Sequence, residues 1–348
     1  MAGSDKRFRW LVTGGAGFLG VHLCRGLIER QQDVVAFDLA PFPIEEKVEG
    51  IRCVGGDIRD AAALRRELSG VDFVVHAAAA LALAPPMEID QVNAEGTRIV
   101  LAACAQAGVK RVVYIGTTAV YGMPKDHPIF EDAPLNPMGH YGIAKAKAES
   151  YCAAATGIET VRLRPKSFIG TGRLGIFQIL FDWIELGKKI PVLGDGNNRF
   201  QLMDVRDLVD AIYLAAQAGR DKEVYNVGAG MFGTVNEDLG ALLAHARSGS
   251  SILHIPSQPT KMILGVLSAM HLSPVYRWVY DTADQDSFVS IDKAQRDLSW
   301  QPRFSNVDAM INTYTWYLAK GKEMAKQTGT GHRVAWKQGV LRLAKAVM

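Results

Sequence analysis

The chain has 348 residues, 48% of them hydrophobic, enough for one large domain or a large domain with a smaller lobe. Its formal net charge of +3 is too small to argue for a nucleic-acid partner. Cys24, Cys53, Cys104 and Cys152 are scattered without a Cys-x-x-Cys pair, which argues against a disulfide framework and a zinc site.

Residues 8–13 read as a short buried strand and residues 18–30 as a helix, with Leu19, Leu23, Leu27 and Ile28 at helical spacing. Between them runs Thr13-Gly-Gly-Ala-Gly-Phe-Leu-Gly20. Gly14 permits a tight turn, Gly17 lets backbone approach a pyrophosphate, and Gly20 lets helix pack closely on strand. The helix start at Phe18 and Leu19 offers unpaired N–H groups and a positive dipole end to the phosphates. A second strand, 33–37, ends at Asp38, where an acid accepts hydrogen bonds from an adenosine ribose. A carboxylate there repels a 2′-phosphate, and no Arg or Lys follows before Lys47. NAD(H) is therefore favoured over NADP(H).

Further along, 71–75 is a strand ending at His76-Ala-Ala-Ala79, 91–107 a helix, 110–115 a strand, 141–156 a helix and 159–163 a strand. This alternation predicts an α/β fold with a parallel, doubly wound sheet of the Rossmann kind and a smaller C-terminal substrate lobe. Residues 1–165 would form the dinucleotide-binding core. Residues 166–320 would mix elements returning to the sheet (helix 204–218, strand 223–227) with the substrate lobe. Residues 321–348 would be a linker and a basic amphipathic C-terminal helix.

The chemistry is carried by Tyr141-Gly-Ile-Ala-Lys145. A tyrosine with a pKa near 10 is a poor acid or base at neutral pH, but a lysine cation favours its phenolate. Four residues apart on a helix, the two share a face. Thr117, just past strand 110–115, is placed to hold a carbonyl or alcohol oxygen. The three could move a proton on that oxygen while nicotinamide exchanges hydride at the adjoining carbon.

At this point the chain resembles the extended short-chain dehydrogenase/reductase family, in its epimerase/dehydratase branch. The resemblance covers roughly residues 8–318. It rests on the glycine turn, Gly56-Asp57-Ile58, His76-Ala-Ala-Ala79, Asn93-Ala-Glu-Gly-Thr97, Thr117-Thr-Ala-Val-Tyr-Gly122, Tyr141-Gly-Ile-Ala-Lys145 and Arg164-Pro165. It implies that Asp57 and Ile58 contact adenine, that Ala77, Ala78 and Ala79 line the cofactor, and that Lys145 also holds the nicotinamide ribose. By the same resemblance Pro165 and Ser167 pass near nicotinamide, Thr117, Tyr141 and Lys145 form the catalytic triad, and a homodimer forms through the Tyr-Lys helix.

Three departures from the family pattern bear on the substrate. Sugar 4,6-dehydratases of this family follow the catalytic Thr with acids, whereas Thr118 and Ala119 follow here. The arginine that pairs with a diphosphate is replaced by Phe200, with Arg199 one residue away and pointing to the other face of a strand unless a bulge intervenes. The position of a second diphosphate arginine falls near Tyr280, in Tyr280-Asp-Thr-Ala-Asp284, which holds no arginine. Without such charge-assisted pairs a diphosphate binds poorly.

Residues 252–280 instead resemble the apolar substrate lobe of 3β-hydroxysteroid and sterol dehydrogenases, including His254-Ile255-Pro256 at its start. Ordinary core packing explains the same apolar spacing. Residues 334–348 place Trp336, Val340, Leu343, Ala344 and Val347 on one face, with Lys337, Arg342 and Lys345 largely off it. Such a helix suits an anionic membrane surface or docks on its own body or a neighbouring subunit. The longest apolar run, 262–270, is too short to span a bilayer, and Lys6, Arg7 and Arg9 precede no signal-peptide core. A cytoplasmic protein, peripheral at most to the inner face of a membrane, is expected.

These readings converge on an NAD(H)-dependent oxidoreductase that interconverts a secondary alcohol and a ketone on a lipid-like small molecule. A sterol 3-hydroxyl and a long-chain 3-keto lipid, such as a sphingolipid precursor, both fit. The alternative is a nucleotide-sugar 4-epimerase with tightly held NAD, for which Arg199 and Arg173 would have to supply the diphosphate site.

Overall fold

A computed structural model describes residues 6–269, 277–324 and 333. The helix expected over 334–348 lies outside the described residues, as does most of the linker before it. The chain remains helical through Met324, so helix covers the first residues of the segment read as linker.

Seven parallel strands form the central sheet: β1 (Arg9–Thr13), β2 (Asp33–Asp38), β3 (Ile51–Gly55), β4 (Phe73–His76), β5 (Arg111–Ile115), β6 (Glu159–Pro165) and, after three strands elsewhere, β10 (Val224–Val227). Their spatial order is β10-β6-β5-β4-β1-β2-β3. The order reverses direction between β1 and β4, and in such sheets the crevice for a ligand opens at that reversal, outside the carboxyl ends of the strands. The doubly wound parallel sheet expected from the sequence is thus present.

Helices cover both faces because the strands are apolar on both. Trp10 and Val12 of β1 enter a core with α1 (Phe18–Glu29) and α7 (Val205–Ala218), whereas Leu11 enters a second core with α2 (Ala61–Glu67), α4 (Gly96–Ala107) and α5 (Gly139–Ala154). The split follows from the alternation of side chains along a strand. β3 and α2 had no counterpart in the sequence reading. β3 is an edge strand with Ile51 buried and Arg52, Cys53 and Gly55 exposed, so it carries no apolar run to detect. α2 is announced instead by its cap, Asp60, whose side chain accepts from Ala62 and Ala63 N–H.

Two expected helices shift in detail. α4 is preceded directly by α3 (Pro86–Ile89) and a π-helical stretch at Asp90–Glu95, in place of uninterrupted α-helix from residue 91. Asp204 caps α7 rather than belonging to it, accepting from Arg206 N–H.

The smaller lobe packs on a third core. It contains α6 (Ile176–Glu185), α8 (Val235–Ala246), α12 (Asn306–Trp316) and the parallel pair β8 (Ile190–Leu193) and β11 (Ile252–Ile255). A second small pair, β7 (Ser167–Ile169) and β9 (Leu202–Asp204), joins it to the main sheet. α9 (Ser257–Ala269), α10 (Arg277–Thr282) and α11 (Asp292–Leu298) lie between β11 and α12 in the chain. On α9, Met262, Ile263 and Val266 face solvent, so this stretch of the expected apolar lobe is not ordinary core.

Candidate active site

The glycine turn between β1 and α1 is closed to side chains. Gly14 has φ +71°, and a Cβ there would stand 2.7 Å from Ala78 N. A Cβ on Gly20 would stand 2.1 Å from the Gly14 carbonyl oxygen. The turn therefore lies directly against the loop that follows β4, at the point where the strand order reverses. Gly17 is exposed and caps α1 without a side-chain hydrogen bond, and the first turn of α1 holds no acid. Its N–H groups and positive dipole end are left to an external anion. This cradle fits a dinucleotide pyrophosphate. Phe18 and Leu19 have buried side chains, so they would serve such a group through backbone N–H alone.

Asp38 ends β2 beside this turn. Its Oδ2 accepts from Ala16 N at 2.9 Å and its Oδ1 from Ala40 N at 2.9 Å. The carboxylate is thus fixed to the turn. Asp57 follows β3 and grips Arg59 through both carboxylate oxygens, at 2.6 to 3.0 Å. The Arg59 guanidinium holds its carboxyl below the ordinary value. Ile58 is buried beside it.

The loop Ala77–Ala80 is built by residues to which the sequence reading gave no role. Asn93, in the π-helical stretch, accepts from Ala80 N at 2.7 Å and donates to Ala80 O at 2.9 Å. Thr97 donates to Asn93 O at 2.6 Å, so its oxygen accepts from His76 Nε2–H at 3.0 Å. His76 Nδ1 then accepts from the Thr13 hydroxyl at 2.7 Å. The Thr13 oxygen in turn receives Ala78 N–H at 3.3 Å. Burial pushes His76 down to about 3, which keeps the ring neutral as this relay requires. Ala77, Ala78 and Ala79 are half-buried on the wall so formed.

Tyr141 and Lys145 stand one turn apart on α5. Tyr141 packs half-buried against Ala80, Ile89 and Ala144, which places it at the end of the Ala77–Ala80 wall. Lys145 is buried; its Nζ donates to Ile115 O at 2.7 Å and lies 4.6 Å from the Tyr114 ring centroid. Burial brings its ammonium down to about 8, against a raising pull from Glu149. Thr117, two residues past β5, is half-buried, and its Oγ1 accepts from Ala119 N at 3.2 Å. That leaves its hydroxyl proton to donate elsewhere, with no acceptor for it among the described residues.

Beneath these groups lies a buried ion pair. Arg164 reaches Glu149 through Nη2 at 2.7 Å and through Nε at 3.0 and 3.1 Å. Its Nη1 donates to the Tyr121 hydroxyl at 2.7 Å and to Glu131 O at 3.1 Å. Tyr121 donates onward to Asn226 Oδ1 at 2.8 Å. This network fixes α5 to β6 and β10. Pro165 is buried at the end of β6, and Ser167 is half-buried at the start of β7.

On the substrate side the candidate diphosphate residues are engaged elsewhere. Arg199 is clasped by the Phe232 and Phe288 rings, with centroids 4.6 and 4.7 Å from its guanidinium carbon. Arg173 lies against Phe18, Phe168 and Phe177, at the α1 end of the crevice. Phe200 turns its ring toward Lys166, 5.1 Å away. His254 is exposed and paired with Asn236 Oδ1 at 2.9 Å.

The NAD dependent epimerase/dehydratase family matches residues 10–228. The chain belongs to this family. As a member it is an NAD-dependent oxidoreductase with a Rossmann-like fold. It is 38% identical over 337 residues to the uncharacterised protein y4nG of Sinorhizobium fredii, covering 96% of this chain and 84% of that one. A 2-alkyl-3-oxoalkanoate reductase of Stenotrophomonas maltophilia is 35% identical over 217 residues, covering 60% of this chain and 65% of the other. Among solved structures, UDP-glucose 4-epimerase of Thermotoga maritima with UDP-glucose superposes with a TM-score of 0.74 at 26% identity, covering 89% of this chain and 99% of that one. Proteins similar to this chain thus include, by name, both a reductase and an epimerase, so the shared fold alone does not give the substrate.

Proposed function

We propose that the protein interconverts a secondary alcohol and a ketone on an apolar, lipid-like molecule such as a long-chain 3-oxo compound. The reading is supported by Thr117 two residues past β5, by Lys145 bonded to the Ile115 carbonyl at the end of β5 and by Tyr141 one helical turn before it, together with Arg199 and Arg173 lying against aromatic rings. Bound NAD(H) would supply or take the hydride at the reacting carbon. Gly14, Gly17, the N–H groups of Phe18, Leu19 and Gly20, Asp38, Asp57, Ile58, the Ala77–Ala79 wall, Pro165 and Ser167 would hold it, with Lys145 on its ribose. Asp38, fixed beside the turn, disfavours a 2′-phosphate and supports NAD(H) over NADP(H).

In the reductive direction Tyr141 donates its proton to the carbonyl oxygen and is left as phenolate. Thr117 donates a hydrogen bond to the same oxygen, and the Lys145 ammonium stabilises the phenolate. Two further observations support an apolar substrate. α9 shows Met262, Ile263 and Val266 to solvent, and Lys261 ties it to Asp281 O and Asp284 at the substrate side. The similar Stenotrophomonas protein acts, by its name, on 2-alkyl-3-oxoalkanoates. We also infer a homodimer, through the α5 face where Ile143 is exposed.

The test is NADH oxidation with methyl 3-oxodecanoate in detergent. Wild-type protein should turn over, and Tyr141→Phe should lose about 10²- to 10⁴-fold while binding NADH normally. Retained turnover would overturn the mechanism. The second reading, a nucleotide-sugar 4-epimerase, is favoured by the near-full-length likeness to the Thermotoga enzyme. It predicts thermal stabilisation by UDP, GDP or dTDP beyond that of NADH, about 2.7 kcal/mol at one hundred times the dissociation constant.

A further inference from the structure

Lys166 is the residue after β6, and only 3% of it is exposed. Its Nζ donates to Ser287 Oγ at 2.7 Å and faces the Phe200 ring. An ammonium has three N–H donors, and a hydroxyl and a ring face do not neutralise its charge. Among the described residues no carboxylate lies within ion-pair distance of it. The contrast with Arg164 is direct: two positions earlier in the chain, an equally buried cation has a full carboxylate partner. Burying an unpaired charge is costly, and burial alone brings the Lys166 ammonium down to about 7.

This cation borders a cavity as well as the Phe200 ring. Lys166 lines a small cavity with Thr118, Gly122, His127, Asp286 and Ser287. Thr118, on the wall of this cavity, directly follows Thr117 in the chain. Asp286, the acid on its wall, directs its Oδ1 to Arg199 N at 2.7 Å. His127 is held toward its neutral form by burial. Asp286 lies beyond ion-pair distance of Lys166, which leaves the ammonium open to one anionic oxygen group. A diphosphate would bring more charge than these walls offer.

We infer that Lys166 is a specificity-determining residue whose ammonium takes the carboxylate of the substrate, so that the substrate is an oxo acid or hydroxy acid rather than a neutral ketone. The inference rests on the oxidoreductase reading for the position of the reacting oxygen, and it narrows the substrate class of that same site. The ammonium supplies a charge-assisted hydrogen bond of the strong kind. The proton stays on nitrogen, and the lysine takes no part in bond making.

The experiment compares binding of 3-hydroxydecanoate and its methyl ester to NAD-loaded protein by calorimetry. The variants are Lys166→Met, which removes the buried cation at similar volume, and Ser287→Ala, which frees the ammonium from its hydroxyl. Wild-type protein should bind the acid at least tenfold more tightly than the ester. Lys166→Met should lose that preference, its acid binding falling at least tenfold more than its ester binding, and Ser287→Ala should keep it. Equal affinities in the wild type, a parallel loss of both ligands in Lys166→Met, binding of neither, or Lys166-dependent binding of UDP in place of the acid would each overturn the inference. Turnover separates it from the broader reading. If the acid binds through Lys166 and is not oxidised, the oxidoreductase reading falls alone. If the ester is oxidised and the acid is not preferred, this inference falls alone.

Discussion

Glu149→Gln couples the fold to the chemistry. Glu149 is 2% exposed and holds Arg164, itself 4% exposed, through three contacts of 2.7 to 3.1 Å. It also raises Lys145, one turn earlier on α5, whose ammonium burial has brought down to about 8. The amide keeps the shape and removes the charge. Arg164 then retains the Tyr121 hydroxyl and the Glu131 carbonyl but has no counter-charge. Breaking a buried pair from one side costs about 3–5 kcal/mol, and urea unfolding of the cofactor-free protein should show a loss in that range. The second effect is on pH. If Lys145 works as a cation, turnover falls as pH rises through its pKa, so the upper limb of kcat/KM should begin near pH 8 in the wild type. Without Glu149 the ammonium is less favoured and the limb moves to lower pH. A move of about one unit corresponds to about 1.4 kcal/mol of lost support. The assay is NADH oxidation with methyl 3-oxodecanoate from pH 6 to 10, on variant and wild type side by side. An upper limb in the same place would refute the claim that Glu149 sustains the Lys145 charge. A stability loss under about 1 kcal/mol would refute the claim that Arg164 depends on it.

Tyr141→Phe, as set out above, should cut turnover by about 10²- to 10⁴-fold and spare NADH binding. Asn93→Ala leaves Ala80 N–H and C=O unpaired in a buried position, which should cost about 2–4 kcal/mol and weaken NADH binding, read by fluorescence titration; an unaffected affinity would mean that the Ala77–Ala80 wall is not part of the cofactor site. His76 has its pKa depressed from 6.5 to about 3. Its contribution to stability is therefore complete above pH 6.5 and is lost as pH falls toward 3, with a slope of up to about 1.4 kcal/mol per pH unit. Unfolding free energies of wild type and His76→Gln between pH 7 and 4 should converge as the pH falls, and parallel curves would show that the ring is already charged in the fold.

The dinucleotide half of the molecule was legible because each of its parts is local. A strand, a glycine turn and a helix lie within residues 9–29, and the sterics that demand glycine at 14 and 20 act between neighbours in that stretch and the wall at Ala78. Tyr141 and Lys145 were legible for the same reason, since helical spacing alone puts them on one face. What supports them was not. Asn93 reads as a polar residue inside a helix until the π-helical stretch turns it toward Ala80, and Glu149 reads as a surface acid until Arg164 is brought beneath it from β6. β3 was invisible because this edge strand buries only Ile51 and carries neither an apolar run nor an alternation. The substrate side was least legible. Its cavity joins residues 118–129 to Lys166 and to residues 282–287, and no periodicity in the chain announces contacts at that separation.

The distribution of buried charge carries the argument one step further. Arg164 has Glu149, Lys145 has the Ile115 carbonyl, and Asp207 receives the backbone N–H groups of Arg303 and Phe304 at 3.0 Å each. Each of these groups sits where two elements are joined, and its partner belongs to the fold. Lys166 joins β6 to the Ser287 segment as well, yet, unlike Arg164, it has no carboxylate partner among the described residues, and, unlike Lys145, it has no part in the triad. A junction alone would be served as well by an uncharged side chain, and replacing the cation would relieve the cost of burying it. Lys166→Met should therefore be at least as stable as the wild type in thermal unfolding at pH 6, where the wild-type ammonium is charged. If instead the variant is destabilised by several kcal/mol, the lysine is a structural strut, and its charge says nothing about the substrate.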